Sequence, residues 1–110
     1  MIVVAVDRAL DARQLTRVAR RAIFGMARTG SEFAGSSGDY AIAFATRDSA
    51  PTADSSLGPV FAAVQEAVEE AVLNSVFMAT TTVGYLGHTK HAVPPEYVVR
   101  ACRDAGVLGR

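Results

Sequence analysis

Ser37, Gly38 and Asp39 set a hydroxyl and a carboxylate two positions apart, directly ahead of the apolar run Tyr40-Ala-Ile-Ala-Phe-Ala-Thr46. Along an extended chain, residues two apart point the same way. Ser37 and Asp39 can therefore converge on one site. A serine hydroxyl is a poor nucleophile near neutral pH and needs an adjacent base, so such a pair is one way to build a catalytic site. Ser-Gly-Asp ahead of a strand is also common turn chemistry, and the tripeptide by itself does not choose between the two readings.

The other residue types with chemical potential are less suggestive. His88 and His91 form an H-x-x-H pair and are the only histidines. A zinc site needs three or four ligands, so a loop-stabilising role is expected, with no metal and no cofactor. Cys102 is the single cysteine. It excludes an internal disulfide framework, fits a reducing cytoplasm, and reads as an inert thiol in a helix with no base placed for it. Ser31 and Ser36 read as turn residues, and Tyr85 and Tyr97 as packing residues.

With 110 residues, half of them hydrophobic and a fifth charged, the chain fits one domain or part of one, residues 1–110. Its formal net charge is zero and its pI near 6.7, which gives nucleic acid or an anionic membrane nothing global to attract. Arg8, Arg13, Arg17, Arg20, Arg21 and Arg28 crowd the first thirty positions, whereas Asp48, Asp54, Glu66, Glu69 and Glu70 gather in the middle. A basic helix beside an acidic one is the natural arrangement. No apolar run reaches the eighteen or so residues of a membrane span, and the opening MIVVAV is too short for a signal peptide.

These residues must be positioned by a small set of elements. Residues 2–6 form a continuous apolar, β-branched run, which predicts a strand covered on both faces; such an abrupt opening suggests native sequence upstream. Residues 11–29 carry Leu15, Val18, Ala22, Ile23 and Met26 at helical spacing, with Asp11 as N-cap and Gly30 as the left-handed stop. Gly25, inside that helix, marks close approach by another backbone. A second strand is predicted over 40–46, a surface connection over 47–57, a long helix over 58–78, a structured loop over 80–94, and a last helix over 96–105 entered through Pro95. Two strands make a poor sheet, so the elements are expected to complete a larger layered α/β structure.

Three blocks, MIVVAVDRALDARQLTRVARRAIFGMARTGS, GSSGDYAIAFAT and TTTVGYLGHTKHAVPPEYV, resemble in order the C-terminal part of the L-aminopeptidase/D-esterase family, which includes β-peptidyl aminopeptidases and D-aminopeptidases. The resemblance covers nearly the whole chain. It implies a layered α-β-β-α sandwich of which this chain is the second portion, and a precursor that cuts itself at a Gly-Ser type bond. The new N-terminal serine would attack substrate with its own α-amine as base, and would lie immediately upstream of Met1. Ser37 and Asp39 match the pair that supports that amine, with Asp39 a shorter variant of the glutamate often found there. The oxyanion donors would come largely from the upstream segment.

On this reading the complete enzyme removes N-terminal residues from peptides, amides or esters through an acyl-enzyme, pairs this chain with an upstream α-chain-like segment, and forms a homo-oligomer. The isolated chain is expected to be inactive. The competing expectation is a small non-enzymatic α/β binding or assembly module. A third is complementation by a separately encoded partner that supplies the missing strands and nucleophile.

Overall fold

β-Branched residues fill the first strand, β1 (Ile2–Val6), in the computed structural model, which describes residues 1–36 and 38–108. Helix α1 (Ala12–Ala27), strand β2 (Ala41–Ala45), a 3-10 turn at Asp54–Ser56 and helix α2 (Gly58–Phe77) follow. Beyond them come β3 (Thr82–Val83), a second 3-10 turn at Tyr85–Gly87, β4 (Thr89–Lys90) and α3 (Pro95–Asp104). The chain divides into two compact units, Met1–Val72 and a second beginning at Leu73.

In the first unit β1 and β2 pair in parallel, with Ile2 opposite Ala41 and Val6 opposite Ala45. Parallel neighbours need a crossover, and α1 provides it. Asp11 caps that helix as predicted: its carboxylate accepts from the Gln14 backbone N–H at 2.7 Å while Gln14 Oε1 accepts from the Asp11 N–H at 3.1 Å. The reciprocal pair satisfies two backbone donors that a helix start leaves open. Gly30, at φ 83°, stands in the left-handed conformation expected of the stop.

Gly25 marks a close approach, as its position inside the helix predicted. A Cβ there would lie 2.9 Å from the Gln65 carbonyl oxygen and 3.0 Å from the Gln65 Cα on α2. Around this crossing lies the core of Val6, Leu10, Val18, Ala22, Leu57, Val60, Val64 and Val68. Arg28 reaches Glu69 at 2.8 Å across the same helix pair. The basic and acidic helices are thus neighbours.

The sheet has two unlike faces, because side chains alternate along a strand. Ile2, Val4, Ala41, Ala43 and Ala45 pack against the core. On the other face Val3, Ile42 and Phe44 are 60%, 54% and 46% exposed. Cover on both faces of β1 was predicted; among the described residues it is supplied on one face.

Two other expectations need correction. The stretch 47–57 is not wholly surface: the Thr52 N–H donates to the Ala9 carbonyl at 2.9 Å and Leu57 is fully buried. Residues 80–94 hold more than a loop, since β3 and β4 pair antiparallel with Thr82 opposite Lys90. The tight link between them has Leu86 at φ 55° and Gly87 at φ 76°. In α3, Pro95 occupies the first turn and Gly106 follows the helix at φ 71°. From Leu73 onward no described residue is buried, and only Ala92, Val98 and Cys102 are half-buried.

Candidate active site

Asp39, one of the two predicted site residues, falls at the N-terminal mouth of the two strands. The Ile2 N–H donates to the Tyr40 carbonyl at 2.8 Å, which extends the parallel ladder one step before β2. Asp39 precedes Tyr40 and is exposed. It therefore stands at the same end of the sheet as the start of β1, one peptide from the group that binds Ile2. Ser37 lies outside the described residues. The hydroxyl end of the Tyr40 ring fills the space beside Gly38, the residue between the two: a Cβ on Gly38 would come within 2.7 Å of both Tyr40 Cε2 and Oη and 2.8 Å of Cζ.

The opposite end of the strands is tied by charge. Arg47 donates to the Asp7 carboxylate through Nε at 2.6 Å and through a terminal nitrogen at 3.0 Å, and Thr46 Oγ1 donates to it at 3.0 Å. The Arg47 hydrogen bond, then that from Thr46, holds the Asp7 carboxyl below its ordinary range. The Thr46 N–H also donates to the Val6 carbonyl at 3.0 Å. Register is consequently fixed at both ends of β1.

A second polar network fastens the connection between β2 and α2 onto the start of α1. Asp54 accepts two hydrogen bonds from Arg13, at 2.8 and 2.9 Å, one from Arg17 at 3.1 Å and one from Gln14 Nε2 at 2.8 Å. The Arg13 contact first, and the Gln14 contact next, hold the Asp54 carboxyl well below the carboxylate range. Gln14 is buried and also donates to the Thr52 carbonyl at 2.7 Å. Sequence reasoning missed this network. The available signal was the Asp11-x-x-Gln14 spacing of a capping box, which makes Gln14 a structural residue.

His88 and His91 flank β4 and are both exposed. Among the described residues no group of three or more His, Cys, Asp or Glu side chains could hold a metal ion. Cys102 is a free, half-buried thiol on α3. Tyr85 and Tyr97, read from sequence as packing residues, are both exposed within this chain. Ser31 behaves as a turn residue, its hydroxyl accepting from the Phe33 N–H at 3.4 Å.

The geometry can be set beside known proteins. The sequence profile of Peptidase family S58 matches residues 1–90. Beta-peptidyl aminopeptidase BapA of Sphingosinicella xenopeptidilytica is 31% identical over 113 residues, which covers 91% of this chain and 28% of that protein. Among solved structures, a Pyrococcus horikoshii protein superposes with a TM-score of 0.85 at 41% identity, covering 96% of this chain and 33% of its own. The L-aminopeptidase D-Ala-esterase/amidase of Ochrobactrum anthropi, a prototype for the serine aminopeptidases and a variant of the Ntn-hydrolase fold, superposes at 0.83 with 32% identity, covering 97% and 34%. The mixed α/β architecture is thus shared with these structures, the Ochrobactrum anthropi aminopeptidase among them, and the chain spans about a third of the length of the relatives it matches.

Proposed function

This chain belongs to Peptidase family S58, and on that footing we propose that it supplies the C-terminal part of a serine aminopeptidase whose nucleophile is carried by a segment joined ahead of Met1. Asp39, together with Ser37, supports the α-amine of that N-terminal serine. One observation carries the reading. The register pairs Ile2 with Ala41, and the Ile2 N–H binds the Tyr40 carbonyl. Stepping back along the same ladder, a residue joined to Met1 would stand beside Asp39.

The chemistry follows from that adjacency. An α-amine, with a reference pKa of about 7.7–8.0, keeps a usable neutral fraction near neutral pH and is held by covalent geometry beside its own hydroxyl. The serine oxygen attacks the carbonyl carbon of the substrate's first residue while the hydroxyl proton passes to the amine. Collapse of the tetrahedral adduct breaks the C–N or C–O bond, and the same proton leaves on the departing group. Water repeats the sequence on the acyl-enzyme, releasing the free acid and restoring the hydroxyl. A carboxylate at Asp39 orients the amine and stabilises its charged form between these steps.

The self-cleavage that would expose such a serine, and assembly into a homo-oligomer, are parts of the same proposal. Exposed apolar residues beyond Leu73, among them Met78, Tyr85 and Leu86, favour association with further protein surface. The test uses the chain alone and the chain completed by its upstream segment, each with an aminoacyl p-nitroanilide. The completed protein is expected to turn over, the isolated chain not, and Asp39→Asn to lower kcat by on the order of a hundredfold. Turnover by the isolated chain that disappears in Ser37→Ala, or full kcat in Asp39→Asn, would overturn the reading.

A further inference from the structure

Tyr40 holds two positions at the mouth of the sheet at once. Its carbonyl accepts the Ile2 N–H at 2.8 Å, and its side chain folds back over Gly38, so that ring carbons and hydroxyl occupy the space a Gly38 Cβ would need. Tyr40 is 69% exposed, so core packing does not explain where its ring lies. A solvent-facing tyrosine has other rotamers open to it. This one covers the backbone of the residue that precedes Asp39.

Glycine loses more conformational freedom on ordering than any other residue. A flexible Gly38 would leave the aim of the following carboxylate loosely defined, whereas the hydroxyl end of the Tyr40 ring, filling the space beside it, supplies dispersion contacts that the missing side chain cannot. The two residues are complementary: Gly38 leaves the room and Tyr40 fills it. We infer that Tyr40 is a positioning residue, whose ring on Gly38 fixes the direction of Asp39 while its carbonyl fixes the strand that approaches Asp39. The inference rests on the role proposed for Asp39 and extends it to the residue that follows it.

The experiment measures kcat, KM and the pH profile in the chain completed by its upstream segment. Tyr40→Phe keeps the ring and should retain near wild-type kcat. Tyr40→Ala frees the Gly38 backbone, and Gly38→Ala drives the ring away; each should lower kcat about ten- to a hundredfold with KM changed much less, as expected for misplacement of about an ångström. The double variant should be no worse than either single one, because both remove the same contact. A carboxylate beside the amine favours the ammonium form and raises its pKa, so misdirecting Asp39 should move the acid limb of kcat to lower pH in Tyr40→Ala but not in Tyr40→Phe. A purely structural loss would reduce stability without moving that limb.

Unchanged kcat and pH profile in Tyr40→Ala, alongside loss of activity in Asp39→Asn, would refute the positioning role and leave the peptidase reading intact. An equal loss in Tyr40→Phe would refute it as well, since the hydroxyl and not the ring would then matter. Absence of turnover in the completed wild-type protein would remove the peptidase reading, and the positioning role with it.

Discussion

Residues 1–72 and residues 73–108 draw on similar apolar side chains with opposite results. The first stretch buries Val18, Ala22, Leu57 and Val64 around the Gly25 crossing. In the second, Phe77, Met78, Val83, Tyr85, Leu86 and Tyr97 all remain exposed. Apolar spacing states that a face will be covered without stating by what. Where the covering element belongs to the same unit, as α2 does for α1, the pattern becomes a core; in the second stretch the same pattern is left as open surface.

The contrast breaks if the two stretches respond alike to truncation. Leu57→Ala should cost about 2–5 kcal/mol, a large share of the roughly 5–15 kcal/mol that holds a domain together, whereas Phe77→Ala should cost under about 0.5 kcal/mol in this chain, its side chain being 48% exposed. Urea unfolding of both variants decides. Equal shifts would mean that the second stretch has a core of its own.

A smaller effect sharpens the role of the helix crossing. Gly25→Ala ought to gain about 1 kcal/mol of helix propensity, yet its new Cβ would meet the Gln65 backbone at 2.9 Å, and overpacking against backbone costs about 1–3 kcal/mol. Net destabilisation is expected by thermal melting, with Gly58→Ala as control because nothing lies within 4 Å of a Cβ there. Stabilisation by Gly25→Ala would show that the helices can separate at little cost.

The smallest effect concerns acid. Asp54 is held below its ordinary pKa of 3.8, first by Arg13 and then by Gln14. A carboxyl whose folded pKa is depressed contributes stability above the unfolded value and loses it as pH falls toward the folded one, because the unfolded chain then binds the proton more readily. Wild type should therefore exceed Asp54→Asn in urea midpoint above pH 3.8 and lose that margin progressively below it. A margin independent of pH would assign the effect to hydrogen bonding alone.

The long elements were legible because their signals are local. Asp11 and Gly30 bracket α1, Pro95 and Gly106 bracket α3, and Gly25 announced its close neighbour. Partners far apart in sequence left weaker marks. Asp54 reads as one acid among several, and only the fold brings Arg13, Gln14 and Arg17 to it from about forty residues away. Leu57 reads as the end of a surface connection and proves fully buried. β3 and β4, of two residues each, are too short for any alternation to appear. At the candidate site, spacing and the family resemblance single out Asp39 and the fold sets it at the same end of the sheet as the start of β1, while the Tyr40 ring beside Gly38 depends on a side-chain rotamer that spacing does not encode.

The Asp7 pairing with Arg47 has a consequence at the far end of its strand. With Asp7 anchored, β1 works as a ruler whose length decides which residue comes abreast of Asp39. Deleting one residue within Ile2–Val6 would bring a different neighbour alongside that carboxylate and turn every side chain ahead of the deletion to the opposite face. On the role proposed for Asp39, the count of residues in β1 is set at its tip as well as by the packing along its flank.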